Sequence, residues 1–454
     1  MSQHDRHLGA ATLKRLRRSR GMSLADTARA LIDVATRLGQ PLDSSCASVQ
    51  RSVARWESTR PILPSERYQL LLAHLYARRS DGETALGSGS GSDFAELLDA
   101  LRHLGESEQA VVELRRLLVR TSTDDNNGLD LLALLGPQAR TALATALADP
   151  RQADEVLLDV LRTGVSDVNR EVGSLPFVRL QLLLAPVVES CRRLLLADDV
   201  PASLLPGLRT VTAQAYTLAG RLAFETRDDA ASHSLYTAAT EAAGKLGTPW
   251  RRAMVHMSHA LVTLYSTPGL EGAGRLVDAA VRDARAGDSI VVRARAHALQ
   301  AEVTARAGGR QAARQARAAL CLAWYDLDGD HSGDPATSSF TAAHLRGFEG
   351  VTSLYVGDPA AAHDEFARSA AALTRPRDQV QRAIVTSDQA LARLRLGDPR
   401  SAAALLHECV DATSATGGRV ATIRLREARR QLRPWRREDW VADLDDHMIE
   451  ALGA

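Results

Sequence analysis

The chain has 454 residues, enough for two to four domains with their own cores, and its composition limits what those domains can be. Aromatic residues make up only 4% of it and hydrophobic residues 45%, many of them Ala and Leu, which favours close-packed helices over a β-rich fold. The net charge of +1 combines 14 basic and 7 acidic residues in 1–82, a net of +7, with 42 basic and 48 acidic residues in 83–454, a net of −6. A basic N-terminal segment therefore precedes a mildly acidic body, which indicates an anionic partner for that segment alone.

Several function classes lack support in the sequence. No run approaches the ~20 apolar residues of a membrane span, and the N-terminus, MSQHDRHLG, is too polar for a signal peptide, so we expect a cytoplasmic protein without membrane contact. The four cysteines fit no metal-binding spacing, which predicts reduced thiols, and neither GxSxG, a P-loop nor HExxH occurs. We therefore expect a protein that is not an enzyme and has no metal or cofactor.

The basic segment predicts four short helices. In "TLKRLRRSRGMSLADTARAL" a first helix ends at Gly21, Ser23 is a cap, and a second helix extends from Leu24 to Leu38. The loop "GQPLDSS" leads to a third helix in "SVQRSVARWES", residues 48–58, and "TRPILPSERYQLLLAHLY" contains a fourth. These helices are long enough for a small bundle.

The third helix has two different faces. Val49, Val53 and Trp56 recur at i, i+4 and i+7, so they form one apolar stripe that we expect to be buried. Gln50, Arg51 and Arg55 fall on other faces. A solvated amphipathic helix would have the same pattern, and the neighbouring helices decide between the two interpretations.

The order of the four helices resembles the phage-repressor (Xre-like) class of helix-turn-helix domains, over roughly residues 8–78. The resemblance depends on "LKRLRRSRGMS", on "SVARWES", and on Pro64 followed by "LLLAHLY". In that class the third helix enters the major groove of DNA, where Arg recognises guanine and Gln recognises adenine. The resemblance implies a buried ion pair between Arg17 and Glu57. It also implies DNA contacts from four side chains of the third helix: Gln50, Arg51, Ser52 and Arg55.

The segment departs from this class at two places. Leu24 stands where a phosphate-binding Gln is common, so we expect the contacts to the DNA backbone to come from arginines: Arg15, Arg18, Arg20 and Arg60. About a dozen extra residues lengthen the second helix and the loop that follows it, a variant of actinobacterial regulators. A helix-turn-helix relic that binds protein is the alternative to DNA binding.

A Gly/Ser-rich stretch, "GETALGSGSGSD", follows the basic segment and predicts a flexible linker. We therefore predict four regions along the chain. These are a DNA-binding domain in 1–82, a linker in 83–92, a helical first part of the body in 93–205, and helical repeats in 206–454 that end in capping helices.

The repeats have a nearly fixed period. When the loops between paired helices are aligned at five anchors, the spacings are 40, 41, 49 and 40 residues; the anchors are Arg227, Thr267, Gly308, Gly357 and Gly397. Small residues occur seven positions before and five positions after each anchor, as close helix crossings require. This pattern is typical of a helical solenoid and resembles a tetratricopeptide array. The predicted fold is therefore all-α, with an N-terminal helix-turn-helix bundle followed by an α-solenoid of tetratricopeptide-like helix pairs.

A DNA-binding transcriptional regulator is the leading interpretation, with a repeat domain that dimerises and senses an effector. The combination is similar to the bacterial peptide-sensing tetratricopeptide regulators. It implies double-stranded DNA with a palindromic or repeated operator, a peptide or small-molecule effector, and a second copy of the chain as partners. The alternative is a protein-interaction scaffold whose contact with DNA is secondary.

We expect the effector to contact a polar column on the first helix of each repeat. The column occupies positions 11, 8 and 4 before the last four anchors, and its members are His256, His259, Thr263, His297, Gln300, Thr304, Arg346, Glu349, Ser353, Thr386, Gln389 and Arg393. Steps of three and four residues keep each trio on one helix face. Either this face lines a concave groove or it faces bulk water on the outside.

A polar insert, "DLDGDHSGDPATSS" in residues 326–339, explains the longest spacing between anchors. Asp326, Asp328 and Asp330 resemble the start of a calcium loop. However, Gly333 stands at the eighth position instead of the sixth, and Thr337 occupies the place of the bidentate Glu. The sequence therefore favours a solvated loop over a metal site.

Overall fold

The structure, a computed structural model, describes residues 3–37, 42, 44–77, 92–108, 110–112, 114, 137–175, 177–375, 378–416 and 418–452. These residues form helices without any strand, apart from an isolated β-bridge between Val172 and Leu175, so the all-α prediction is confirmed for them. Within the same ranges no helix has both the length and the apolar character needed to cross a bilayer. The chain divides into two compact units, Met1–Arg140 and Thr141–Ala454, which are described separately.

The N-terminal unit contains α1 (Gln3–Ser19), α2 (Leu24–Arg37), α3 (Cys46–Trp56), α4 (Glu66–Ala77) and α5 (Asp93–Leu104). Ser23 caps α2, because its hydroxyl accepts from the backbone N–H of Asp26 at 3.1 Å while the Asp26 carboxylate accepts from the N–H of Ser23 at 2.9 Å. Ser45 caps α3 by accepting from the N–H of Ser48 at 3.3 Å. The predicted long loop before α3 lies mostly outside the described residues.

Helix α5 packs on α1 and α4, which places it in the N-terminal unit. Its apolar side chains, including Phe94 and Leu97, are completely buried. Gly9 of α1 makes the crossing possible, because a Cβ there would lie 2.7 Å from the carbonyl oxygen of Ala100. This differs from the predicted boundary: residues 93–104 fold with the basic segment instead of the body, so the Gly/Ser stretch connects two helices of one unit. Residues 83–91 of that stretch lie outside the described residues.

The remaining helices are α6 (Pro137–Ala148), α7 (Glu155–Arg170), α8 (Phe177–Leu196), α9 (Leu205–Glu225), α10 (Asp229–Gly244), α11 (Pro249–Ser266), α12 (Glu271–Ala286), α13 (Ile290–Ala307), α14 (Gly309–Asp328), α15 (Ala342–Val356), α16 (Pro359–Ala372), α17 (Gln379–Arg395), α18 (Pro399–Thr416), α19 (Arg419–Gln431) and α20 (Asp439–Leu452). From α9 to α18 they pack as consecutive pairs, and the first helices of neighbouring pairs also contact each other. All five predicted anchors fall in the turns within these pairs.

Small residues lie where the helices of a pair approach each other. The Ser232 hydroxyl of α10 donates to the carbonyl of Gly220 on α9 at 2.7 Å, which joins the two predicted small-residue columns directly. A Cβ at Gly220 would lie 3.0 Å from the ring of Tyr236, and one at Gly350 would lie 2.6 Å from the ring of Phe366. Aromatic rings on the second helix therefore require glycine on the first at these crossings.

The polar insert is attached to α13. Arg293 pairs with Asp326 at 2.7 Å, and Asp326 belongs to the last turn of α14. Asp334 accepts from the Ser289 hydroxyl at 2.8 Å and from the N–H of Val291 at 3.0 Å, at the start of α13. Of the three aspartates that resemble a calcium loop, Asp326 is therefore paired with an arginine, and the insert is held at both ends.

Candidate functional site

The apolar face of α3 anchors this helix in the N-terminal unit. Val49, Val53 and Trp56 are buried, as their spacing predicts. The ring of Trp56 meets the ring of Tyr68 on α4 edge to face, with 5.0 Å between their centroids. Helix α3 also packs along α2. Helix α2 therefore supports α3 along its side, and Tyr68 of α4 supports it at its end.

The polar face of α3 is open. Arg51 and Arg55 are exposed and have no ion-pair partner among the described residues, and Gln50 is half-buried. Ser52 is half-buried too, and its hydroxyl donates to the carbonyl of Ser48 at 3.3 Å. The polar face of α3 therefore presents the guanidinium groups of Arg51 and Arg55 and the amide of Gln50. Ser52 already has a hydrogen-bond partner within the helix.

Arg17 and Glu57, the residues of the predicted ion pair, join α1 to the end of α3. Nε and Nη2 of Arg17 donate to the two carboxylate oxygens of Glu57, both at 2.8 Å, and Nη1 donates to the carbonyl of Met22 at 2.8 Å. The two side chains are 9% and 7% exposed. Hydrogen bonding to Glu57 raises the pKa of Arg17. This bidentate pair fixes the end of α3 against α1.

The four arginines expected to bind the DNA backbone fall into two groups. Arg18 and Arg60 are exposed and have no ion-pair partner among the described residues. Arg15 is also exposed, but it pairs with Glu96 of α5 at 3.2 Å. An exposed pair of this kind contributes little energy and separates easily, so Arg15 stays in the set that can bind an anion.

Arg20 has an internal role instead. It is 11% exposed, pairs with Asp93 at 2.6 Å, and donates to the carbonyls of Leu75 and Tyr76 at 2.8 and 2.9 Å. Its guanidinium therefore holds the end of α4 and the start of α5. The prediction that Arg20 binds the DNA backbone is corrected here, because the packing of α5 was not foreseen.

The structure does not bring the predicted effector column onto one open surface. His259 stacks on Tyr236 of α10, with 4.8 Å between ring centroids, and His256 lies 3.5 Å from Asp283 of α12. His297 is 2% exposed. Thr386 and Gln389 are also buried, at 6% and 8%. These side chains face the neighbouring helices, so they cannot line a continuous groove.

The rest of the column is engaged or half-buried. Arg346 pairs with Glu365 of α16 at 2.9 Å, and Glu349 accepts from the indole N–H of Trp324 on α14 at 2.9 Å. Three members are half-buried without such a pair, Thr263, Thr304 and Ser353, and the amide oxygen of Gln300 lies at hydrogen-bond distance, 3.3 Å, from the His297 ring. Arg393 lies 3.7 Å from an Asp398 carboxylate oxygen. The column faces the second helices of the pairs, because its spacing identifies one face of a helix but not the direction of that face.

A different polar column lies on the side that the first helices share. It occupies the position two residues before each anchor, and its members are Glu225, Tyr265, Arg306, Tyr355 and Arg395. Arg306 is its centre: it pairs with Glu302 at 2.6 Å and donates to the hydroxyls of Tyr355 and Tyr265 at 2.9 and 3.2 Å. These contacts connect α11, α13 and α15. We call these five residues and Glu302 the inner column.

Helix α19 covers the inner column. Arg424 is 5% exposed, donates to the Tyr265 hydroxyl at 2.7 Å, and lies 3.7 Å from Glu302. It also pairs with Asp388 of α17 at 3.0 Å. At the start of α19 the N–H of Arg419 donates to Glu225 at 2.6 Å. Burial raises the pKa of the Asp388 carboxyl. One helix from the end of the chain thus contacts α9, α11, α13 and α17.

The inner column could have been recognised in the sequence. A large polar or ionisable residue stands two positions before every anchor, although the rest of each helix end is mostly small or apolar. What the sequence does not show is the partner. Arg424 lies 159 residues from Tyr265, and no local pattern connects them.

Comparison with known proteins identifies no relative of this chain. No protein-family model, no curated protein and no solved structure matches the chain. Function therefore has to be inferred from two surfaces: the open polar face of α3 and the inner column under α19.

Proposed function

We propose that the chain is a DNA-binding transcriptional regulator in which α2 and α3 form a helix-turn-helix and α3 enters the major groove. The observation that carries this proposal is the division of α3 into a buried apolar face and an open face with Arg51 and Arg55. A recognition helix needs rigid support and guanidinium groups that are free to bind guanine edges or phosphates. The net charge of +7 in residues 1–82 supplies long-range attraction to DNA.

The body, in this proposal, is an α-solenoid of tetratricopeptide-like pairs that forms a dimer and senses an effector. The five turns at a nearly constant period, the paired packing from α9 to α18 and the contacts between first helices support it. One recognition helix contacts only a few base pairs. A two-fold dimer would therefore match a palindromic or repeated operator.

Helix α19 determines how an effector can act. In a solenoid the first helices usually line the concave surface, which is where a peptide effector would bind. Arg424 already occupies the acidic groups Asp388 and Glu302 on those helices. An effector that binds there has to compete with α19. Release of α19 would then change the packing of the C-terminal helices.

A protein-interaction scaffold is the second candidate, and the docking of α19 favours it. The first helices of the body hold an arginine-bearing helix of their own chain, so the same surface could hold a helix of another protein. In that case α3 would contact DNA weakly or not at all.

The genomic DNA that co-purifies with the tagged protein from its own host separates the two candidates. For a regulator we expect sequencing to give an enriched palindromic or repeated motif, and the enrichment should disappear in the Arg51→Ala variant. Uniform genomic background in both samples would contradict the regulator and favour the scaffold.

A further inference from the structure

The turn between α9 and α10 resembles two later turns but differs in one residue. In each turn the N–H of an aspartate donates to the carbonyl five residues earlier, at 2.8, 2.9 and 3.0 Å for Asp228, Asp358 and Asp398. The residue before the aspartate is left-handed in all three: Gly357 and Gly397 have φ of 91° and 80°, and Arg227 has φ of 68°. Glycine suits this conformation because it has no Cβ, whereas other residues adopt it at a cost.

Arg227 is the only non-glycine residue with positive φ among the described residues. The same hydrogen bonds form around glycine in the later turns, so the turn itself does not need an arginine. An unfavourable backbone conformation that persists where glycine would serve indicates a role for the side chain.

Two other arginines lie beside Arg227. The guanidinium of Arg419 reaches the same turn, where it donates to the carbonyl of Phe224 at 2.9 Å and pairs with Asp229 at 2.5 Å. Arg426 follows Arg419 by seven residues, which places both on one face of α19. Partial desolvation by the surrounding protein, together with the positive charges of Arg426 and Arg419, lowers the pKa of Arg227.

Two of these three guanidinium groups have no carboxylate partner of their own in the part of the chain that the structure describes. Arg227 and Arg426 are exposed, and neither has an acidic partner among the described residues. Asp229 is taken by Arg419, and Asp228 accepts from the N–H of Ala231 at 2.9 Å as the cap of α10. The positive charges of neighbouring arginines repel one another, and a bound anion reduces that repulsion.

We propose that Arg227 and Arg426, supported by Arg419, form a binding site for a phosphate group. A guanidinium donates two parallel N–H bonds that match the oxygens of a phosphate, and two free guanidinium groups match its charge. The arginine at the left-handed position then has a function that glycine could not supply. This site is separate from α3 and does not depend on the proposed function of that helix.

Thermal unfolding of the full chain in phosphate, acetate and chloride, at equal ionic strength, tests the proposal. In chloride, Arg227→Gly should unfold at a higher temperature than wild type, because glycine removes both the strain and the repulsion. Phosphate should raise the unfolding temperature of wild type by several degrees, through the linkage of binding to stability. Phosphate should leave the unfolding temperatures of Arg227→Gly and Arg426→Gln unchanged.

The matched control is Arg310→Ala, which removes an exposed arginine beside the turn between α13 and α14. This variant should respond to phosphate like wild type. In calorimetry, inorganic phosphate should bind wild type saturably and should not bind Arg227→Gly. A short duplex in the same assay distinguishes the sources of phosphate: weaker duplex binding by Arg227→Gly would assign the site to the DNA backbone, and unchanged binding would assign it to a small phosphate compound.

Three results would overturn the site. Lower stability of Arg227→Gly in chloride would show that the arginine supports the turn. Equal stabilisation of wild type by acetate, chloride and phosphate would show simple charge screening. An undiminished phosphate response in both Arg227→Gly and Arg426→Gln would place any phosphate binding elsewhere.

Discussion

The arginines of α3 and the arginines at the contact between α19 and the inner column have opposite surroundings. Arg51 and Arg55 are exposed and have no acidic partner among the described residues. Arg424 and Arg306 are shielded from solvent and have carboxylate or hydroxyl partners. A buried guanidinium persists only with such partners, because removing its hydration is costly. The comparison separates arginines that stabilise the chain from arginines that are available to another molecule.

The largest expected effect on stability comes from the buried arginines, at the pair of Arg424 and Asp388. Asp388→Ala should destabilise the body by about 3–5 kcal/mol, because it leaves Arg424 buried without its nearest carboxylate. Urea denaturation of the full chain measures the change. Arg430→Ala on α19 is the control: Arg430 is exposed and, within the part of the chain that the structure describes, pairs only with Glu427 of its own helix, so its loss should cost no more than about 0.5 kcal/mol. Equal effects of the two variants would show that Arg424 and Asp388 do not stabilise the body.

The ion pair at the end of α3 should have the next largest effect. Glu57→Ala leaves the buried Arg17 without its carboxylate and should cost about 3 kcal/mol in the N-terminal unit. Hydrogen exchange of the full chain should accelerate in α1 and α3. Asp33→Ala, which removes an exposed carboxylate of α2, should leave those rates unchanged. If the hydrogen-exchange rates of α1 and α3 in Glu57→Ala equal those of wild type, this pair does not hold α3 in place.

Among the exposed arginines, Arg51 and Arg18 should have different effects. Arg51→Ala should lose about 1–3 kcal/mol on the selected DNA site and relax the preference at one base position. Arg18→Ala should weaken binding to all duplexes alike and reduce the dependence of affinity on salt. Affinity for selected and random duplexes at several salt concentrations checks both. If Arg51→Ala leaves the ratio of the two affinities unchanged, Arg51 does not contact a base.

The smallest effect is expected from a histidine of the body. Burial and the neighbouring His233 lower the pKa of His259 to about 4, below the value near 6.5 in an unfolded chain. The unfolded chain therefore binds the proton first, so stability is complete above about pH 6.5 and decreases as the pH falls toward 4. After allowance for solvent screening the loss is about 1–2 kcal/mol.

The variant His259→Phe tests this pH dependence. Phenylalanine keeps the ring contact with Tyr236 but cannot be protonated. Its unfolding temperature should fall less than that of wild type between pH 6.5 and pH 4, an interval that follows from the two pKa values. Parallel curves for both proteins would show that His259 does not contribute.

Local patterns allowed part of this structure to be predicted. The buried stripe of α3, the pairing of Arg17 with Glu57 and the positions of the turns follow from helical spacing, from the family resemblance and from the repeat period. The direction of the column that includes His297 could not be predicted in this way, because it depends on which helices pack beside it. The position of α19 depends on contacts between residues more than 150 positions apart, such as Arg424 with Tyr265. Packing of α5 on α1 likewise reassigned Arg20 from an expected DNA contact to a structural role.

Contact between α3 and DNA is the central claim, and photo-crosslinking tests it most directly. Gln50 is replaced by benzoylphenylalanine in the full chain, and Arg310 is replaced in the same way as a control on an exposed position of α14. With a labelled duplex from the selected pool, we predict a crosslink at position 50 that unlabelled selected duplex competes away, and none at position 310. A sample in which the protein binds the duplex but position 50 forms no crosslink would contradict the assignment of α3 as the recognition helix.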